Sequence, residues 1–237
     1  MTRRRWIADE VDNDRAALTG EHAAHLSRTL RARVGQEFEV VCDGKVRCAT
    51  VSSVTEERVE FVLGAEIAAS AAVPITLVLA VFKFDRMEWA VEKSTELNVT
   101  SIVPVIARRT EKHLALAAEK RVERWRRIAR EASEQARRAA PPEIAEPIKL
   151  SAALELAAHL RIVLAETERE AQLGEMLRAR PDAQSLAMAI GPEGGWTPDE
   201  LQSFEQAGWI AASFGATILR AETAAIAALA IARAEIG

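Results

Sequence analysis

The sequence lacks the segments that a membrane or a metal centre requires. No apolar run approaches the roughly 20 residues that cross a bilayer as a helix. The start, Met1-Thr2-Arg3-Arg4-Arg5-Trp6-Ile7-Ala8, is interrupted at once by Asp9 and Glu10, so it does not read as a secretory signal. Cys42 and Cys48 are the only cysteines, and their spacing fits no metal site. Free thiols in a reducing compartment, the cytoplasm, are expected. HExxH and CxxC are both missing. His22 and His25 share an HxxH spacing, but a pair without further ligands is usually structural. GxGxxG and its later acid are absent, which disfavours a dinucleotide-dependent oxidoreductase, and no GK[ST] marks a phosphate loop. Neither a metal nor a membrane partner is expected.

What is present is a sizeable core and a skewed charge. Hydrophobic residues make up 49% of the 237 positions, enough for one large domain or for one medium and one small. The net charge of −4 does not suggest a nucleic-acid binder. Its distribution does: residues 108–138 carry eleven Lys/Arg against five acids, whereas residues 139–237 carry seven against fourteen. Arg3, Arg4 and Arg5 form a second basic cluster. Such asymmetry fits a polyanion partner for part of the surface, and equally a solvated, charge-rich helix.

Two patterns divide the chain. Before residue 74 it is β-rich. Phe38–Cys42 and Arg47–Val51 flank the turn Asp43-Gly44-Lys45, a hairpin signal, and Arg58–Val62 alternates as a further strand. Glu21–Arg31 reads as a short helix. A link of small residues, Ala68–Val73, ends at Pro74 and marks a boundary, giving domains 1–73 and 74–237. From Ile75 onward strands and helices alternate: strands at Ile75–Val81, Ser101–Ile106, Arg161–Ala165, Leu186–Ile190 and Trp209–Ser213; helices at Arg86–Leu97, Ala117–Arg138, Pro198–Ala207 and Glu222–Ile236. Alternation of this kind predicts an α/β fold, a parallel sheet with helices on both faces. Pro104 is expected to make its strand short or bent. In the long helix Val122, Trp125, Ala129, Ala132 and Ala136 form one buried stripe, leaving Arg121, Arg124, Arg127, Arg130, Arg137 and Arg138 mostly outside it.

The most informative stretch is Gly191-Pro192-Glu193-Gly194-Gly195, between an apolar strand and a helix. Three glycines in five residues permit positive φ and close approach to a ligand. Thr197-Pro198-Asp199-Glu200 then reads as a helix start, with Thr as N-cap, Pro at the first position and an acid at the third. A second loop, Phe214-Gly215-Ala216-Thr217-Ile218-Leu219-Arg220-Ala221-Glu222-Thr223-Ala224, repeats the strand–turn–helix form. Either loop alone reads as a structural turn; two such strand ends together read as a ligand site.

These two loops, GPEGG and G-x-x-I-L-R-x-E-T-A, closely resemble the RsmE family of SPOUT-class methyltransferases, which act on small-subunit ribosomal RNA. Lys83–Val99 (KFDRMEWAVEKSTELNV), Arg130–Arg138 with Pro142-Glu143-Ile144, and His25–Gly35 (HLSRTLRARVG) are similar to further segments of that family, in the same order. Three positions depart from it: Asn98 stands where Gly is usual, Phe214 where Leu is usual, and Thr217 where Arg is common.

The resemblance implies a small N-terminal PUA-like, RNA-binding β-barrel and a C-terminal SPOUT α/β domain whose parallel sheet carries a deep trefoil knot. It implies a homodimer, S-adenosylmethionine as cofactor, and methylation of N3 of one uridine in 16S rRNA or the small ribosomal subunit. Leu164, Gly191, Glu193, Gly194, Gly195, Phe214, Gly215, Ile218, Leu219 and Thr223 are then the cofactor-binding candidates. Arg220, Glu222 and Glu193 are the catalytic candidates, with Glu222 equally readable as a helix N-terminal acid. Arg3, Arg4, Arg5, Arg28, Arg31, Arg109 and Arg138 are the candidates for RNA contact, by phosphate. A ribose 2′-O-methyltransferase of the same class and a non-catalytic RNA-binding module are the alternatives.

Overall fold

The computed structural model describes residues 5–67, 72–136 and 138–236. Arg3, Arg4, Arg137 and most of the small-residue link lie outside them. The chain forms two compact units: one from residues before Ala72 together with Arg130–Pro141, the other from Ala72–Ala129 and Pro142 onward.

The first unit is a curled, mixed six-stranded sheet. It contains β1 (Arg5–Ile7), β2 (Glu10–Asp12), β3 (Arg15–Thr19), β4 (Glu37–Cys42), β5 (Lys45–Val54) and β6 (Arg58–Ile67), in the order β1-β4-β5-β6-β3-β2. The expected small barrel is realised as this half-barrel. Hairpin β4–β5 turns on Asp43 (φ +50°) and Gly44 (φ +75°), the two left-handed positions of a tight two-residue turn, and Lys45 already belongs to the strand. Between β3 and β4, helix α1 (Gly20–Ala24) continues into a wider turn at His25–Thr29, two residues short of the predicted helix end. Trp6, Leu18, Leu26, Val40, Val59 and Phe61 fill the core of this unit.

A charged cluster is built into the same unit. Arg130 donates to Asp9 Oδ1 at 2.6 Å and to the Ile7 carbonyl at 3.1 Å. His22 lies 3.4 Å from Asp9 and 3.7 Å from Glu134. Burial pushes the Glu134 carboxyl above its ordinary pKa, against the opposing pull of His22 and Arg130. The HxxH pair thus serves packing: His22 joins this cluster, and the His25 ring sits 5.9 Å from that of Trp6.

The second unit is a parallel α/β sheet. Its strands are β7 (Ile75–Ala80), β8 (Ser101–Ile106), β9 (Glu143–Ile144), β10 (Ile148–Lys149), β11 (Leu160–Leu164), β12 (Leu186–Ile190) and β13 (Ile210–Ala212). The order is β10-β8-β7-β12-β11-β13, with β9 also on β8, and every pairing is parallel. Its helices are α2 (Phe84–Glu96), α3 (Lys112–Ala117), α4 (Val122–Gln135), α5 (Leu150–Ala153), α6 (Leu173–Arg178), α7 (Pro198–Gln206) and α8 (Ala221–Ile236); α4 continues beyond Ala129 into the first unit's residues. Strand alternation supplies both faces. Ile75, Leu77, Leu79, Leu186, Met188 and Ile190 pack beneath α2, α6 and α8. Val78, Ala80, Val163, Ala187 and Ala189 pack with Trp196, Phe204 and Trp209 on the opposite face.

Two local expectations need correction. Strand β8 is neither short nor bent at Pro104, which pairs in register with Leu79. The Ile102 carbonyl faces β9, accepting from Ala145 N, and the Val105 carbonyl faces β7, accepting from Val81 N. Alternation therefore turns the Pro104 nitrogen toward the gap between β9 and β10, where no ladder bond is lost. The single long helix is instead α3, one 3₁₀ turn at Glu119–Arg121, and α4. The backbone stays right-handed through Ala118 (φ −58°, ψ −45°), so the run is continuous but locally tightened. Its arginines are largely paired: Arg124 with Glu88 at 2.6 and 2.7 Å, Arg126 with Glu146 at 3.0 Å.

Candidate active site

A cleft opens at the carboxyl ends of the three adjacent strands β12, β11 and β13, the edge at which open parallel sheets bind ligands. Three loops wall it. Leu164-Ala165-Glu166-Thr167 extends β11, Ile190–Gly195 extends β12, and Ser213–Leu219 runs from β13 into α8, which adds Ala221 and Ala224. The sequence around each loop explains why it is held there. Thr197 caps α7 by accepting from Glu200 N, while Glu200 Oε2 accepts from Thr197 N at 2.8 Å, the reciprocal box read from the sequence. Buried Glu200 also accepts from Arg108 N at 2.7 Å, tying the end of β8 to the start of α7.

The glycines act in different ways. Gly195 has φ +69° and Gly215 φ +96°, backbone that other residues rarely adopt. Gly191 closes the loop on itself: a Cβ there would lie 3.2 Å from Trp196 N. Gly194 does not line the cleft. It faces Arg109, whose guanidinium donates to the Gly194 carbonyl, and to that of Trp196 at 3.4 Å.

Of the expected cofactor residues, Leu164, Gly191, Glu193, Gly195, Phe214, Gly215, Ile218 and Leu219 line the cleft. Ile218 is 75% exposed and presents apolar surface to the cleft. Thr223 is exposed and outside the wall. Helix periodicity explains it: Ala221 and Ala224 share the face toward the cleft, and Thr223 points away. Thr217 also lines the cleft. Asn98, at φ +61°, holds the left-handed turn after α2, a conformation that asparagine tolerates.

The catalytic candidates separate by environment. Glu193 stands in the cleft wall. Glu222, in the first turn of α8, is only 3% exposed, and its Oε2 has no hydrogen-bond partner among the described residues. Arg220 is exposed, and its carbonyl accepts from Ala224 N at 2.8 Å, placing it at the start of α8. Among the RNA candidates, Arg5 donates to Glu39 at 2.9 and 3.1 Å, Arg28 pairs with Glu56, and Arg138 donates to the Ala140 carbonyl at 3.1 Å. Arg31 is exposed in a left-handed turn at φ +51°. Arg109 is committed to the Gly194 loop.

Several residues of the site were not selected from the sequence, Glu166 and Arg86 among them. Glu166 lines the cleft, its Oε1 3.1 Å from where a Cβ on Gly195 would stand. The rule that ligands sit beyond strand carboxyl ends could have found it, since it follows β11 by two residues. Arg86, on α2, lies 3.8 Å from Glu222 Oε1 and 4.0 Å from Glu193 Oε1. Its segment was noted, but nothing in the sequence marked it as a neighbour of both loops.

The family model for an RNA methyltransferase domain matches residues 69–233. The chain belongs to the ribosomal RNA small subunit methyltransferase E family. The protein of that name from Mycobacterium bovis is 32% identical over 225 residues, covering 90% of this chain and 84% of the relative. The structure of the Neisseria gonorrhoeae member, bound to S-adenosyl methionine, superposes with a TM-score of 0.88 at 30% identity, over 100% of this chain and 99% of that one. A methyltransferase from Legionella pneumophila, also in complex with this cofactor, gives 0.85 at 27% identity, over 99% and 98% of the two chains.

The residues present fit S-adenosylmethionine. The cleft combines apolar walls with glycine backbone that lets a ligand approach, and Glu166, Glu193 and Arg169 line it with charge of both signs, which suits a cofactor carrying a sulfonium, an ammonium and a carboxylate. Among the described residues no helix is long and apolar enough to cross a membrane.

Proposed function

We propose that this protein methylates N3 of a specific uridine in 16S rRNA, on free RNA or on the small subunit. It acts as a cytoplasmic homodimer, with residues 1–73 as a PUA-like RNA-binding domain and residues 74–237 as a SPOUT domain with a knotted sheet. The observation that carries the reading is the cleft at three adjacent strand ends, walled by residues of GPEGG, by Gly215–Leu219 and by the loop after β11, in a chain of this family. S-adenosylmethionine supplies an electrophilic methyl group, so the protein must bind it, aim it, exclude water and remove one proton from the base. Gly191, Gly195 and Gly215 admit the cofactor, and Leu164, Phe214, Ile218 and Leu219 enclose its apolar parts. Glu193, in the wall and partly exposed, is positioned to take the N3 proton. Arg220, exposed at the start of α8, is suited to hold the RNA near the cleft mouth. Phosphate contacts by Arg3, Arg4, Arg5, Arg28, Arg31 and Arg138 would position the RNA without reading its sequence.

The test is nucleoside mass spectrometry of 16S rRNA methylated by the purified protein. N3-methyluridine at one site is the expected product. A 2′-O-methylated nucleoside would replace the reading with ribose methylation, and RNA binding without any methylated product would reduce the protein to a binding module.

A further inference from the structure

We infer that Arg86 is a further catalytic residue, a guanidinium that donates to a uracil carbonyl oxygen beside N3 as negative charge develops there. The inference rests on the uridine-N3 reading above. Arg86 stands in the first turn of α2, just beyond the carboxyl end of β7, and three elements meet around it. Glu193 comes from the loop after β12 and Glu222 from the first turn of α8, at 4.0 and 3.8 Å.

These distances carry the argument. At about 4 Å the two carboxylates offset the charge of Arg86, but neither is close enough to take a hydrogen bond from it. Among the described residues the guanidinium donates no hydrogen bond. A structural arginine on this surface behaves otherwise: Arg124 grips Glu88 with both arms at 2.6 and 2.7 Å. Arg86 is 31% exposed beside the cleft wall, so its planar set of donors is held in place by charge yet uncommitted. Beside it Glu222 is buried, with one carboxylate oxygen that has no hydrogen-bond partner among the described residues.

The chemistry asks for such a group. As the N3–H bond breaks, its proton passes to the Glu193 carboxylate. The freed N3 pair forms the bond to the methyl carbon while the carbon–sulfur bond breaks, its electrons staying on sulfur as a neutral thioether. Charge that leaves N3 in the transition state spreads onto the two flanking carbonyl oxygens. A preset cationic donor at one of them binds the transition state more tightly than the neutral base.

The experiment compares wild type, Arg86→Ala and Arg86→Lys. It measures thermal melting, S-adenosylmethionine affinity by calorimetry, RNA affinity, and the single-turnover rate at saturating RNA and cofactor. Arg86→Ala is expected to lower the rate roughly a hundredfold or more. Cofactor affinity is expected to stay within about twofold, because the loss falls on the chemical step. Arg86→Lys keeps the charge beside both acids, and so the fold, but loses the planar fork; its rate is expected to fall about tenfold. Added guanidinium should accelerate Arg86→Ala and leave wild type unaffected. Wild-type rates in Arg86→Lys, or losses in Arg86→Ala that follow cofactor or RNA affinity alone, would overturn the assignment. If wild type itself forms no N3-methyluridine, the functional reading falls and this inference with it.

Discussion

Alanine at each of the three glycines of the GPEGG loop tests whether the loop is built for a ligand or is only a turn. At Gly191 the new Cβ would lie 3.2 Å from Trp196 N and 3.3 Å from two backbone atoms of Gly195. Backbone cannot step aside as a side-chain tip can, so the loop must spread and the cleft wall with it. At Gly195 the nearest atom is the mobile Glu166 Oε1 at 3.1 Å, but φ is +69°. A residue with a Cβ pays about 1–2 kcal/mol in that region. If the loop relaxes to escape this strain and must return to bind, affinity falls about 5–30-fold. At Gly194 the Cβ meets the Arg109 Cδ at 3.2 Å, a side-chain atom that can shift by a few tenths of an ångström while the guanidinium keeps its bond to the Gly194 carbonyl, and φ is not positive. That change should stay within about 0.5 kcal/mol, like other surface substitutions. Calorimetry with S-adenosylmethionine should therefore rank the losses Gly191→Ala at least equal to Gly195→Ala, and both well above Gly194→Ala. Thermal melting in parallel separates loop strain from general unfolding. A Gly194→Ala variant as impaired as Gly191→Ala would refute the steric reasoning, and wild-type affinity in all three would move the cofactor elsewhere.

Two further outcomes follow from the fold. Thr197→Ala should cost about 1 kcal/mol through loss of the α7 cap. Glu200→Ala should cost more, about 1–3 kcal/mol, since it also strands the Arg108 N–H; urea unfolding of both variants gives the order, and equal losses would contradict it. Burial raises the Glu134 pKa in the folded state above its ordinary 4.5. The associated stability is fully present below that ordinary value and is lost as pH rises through the raised one. Glu134→Gln, which cannot ionise, should accordingly gain stability relative to wild type as pH rises above the ordinary value of 4.5, and a pH-independent difference in urea midpoints would dispose of the argument.

The sequence by itself determined the α/β class, the parallel sheet and most element positions in the second unit. Its strands are apolar on both faces, a pattern that only a sheet covered by helices satisfies. It also determined the capping box of Thr197 and Glu200, the Asp43-Gly44 turn, and two of the three loops that wall the cleft. All of these depend on residues a few positions apart, where local geometry decides. What the tertiary structure alone decided depends on separation. Pro104 is harmless because β9 and β10 leave a gap opposite it, which no window around Pro104 can reveal. Arg109, read as an RNA contact, shapes the Gly194 loop 85 residues away. Thr223 follows a motif glycine closely in sequence, yet the α8 rotation hands its place to Ala221 and Ala224. Arg86 meets Glu193 and Glu222 only because β12 is inserted beside β7 and α8 packs on α2. Strand order and helix docking, set by burial over the whole core, bring those three charges together from distant parts of the chain.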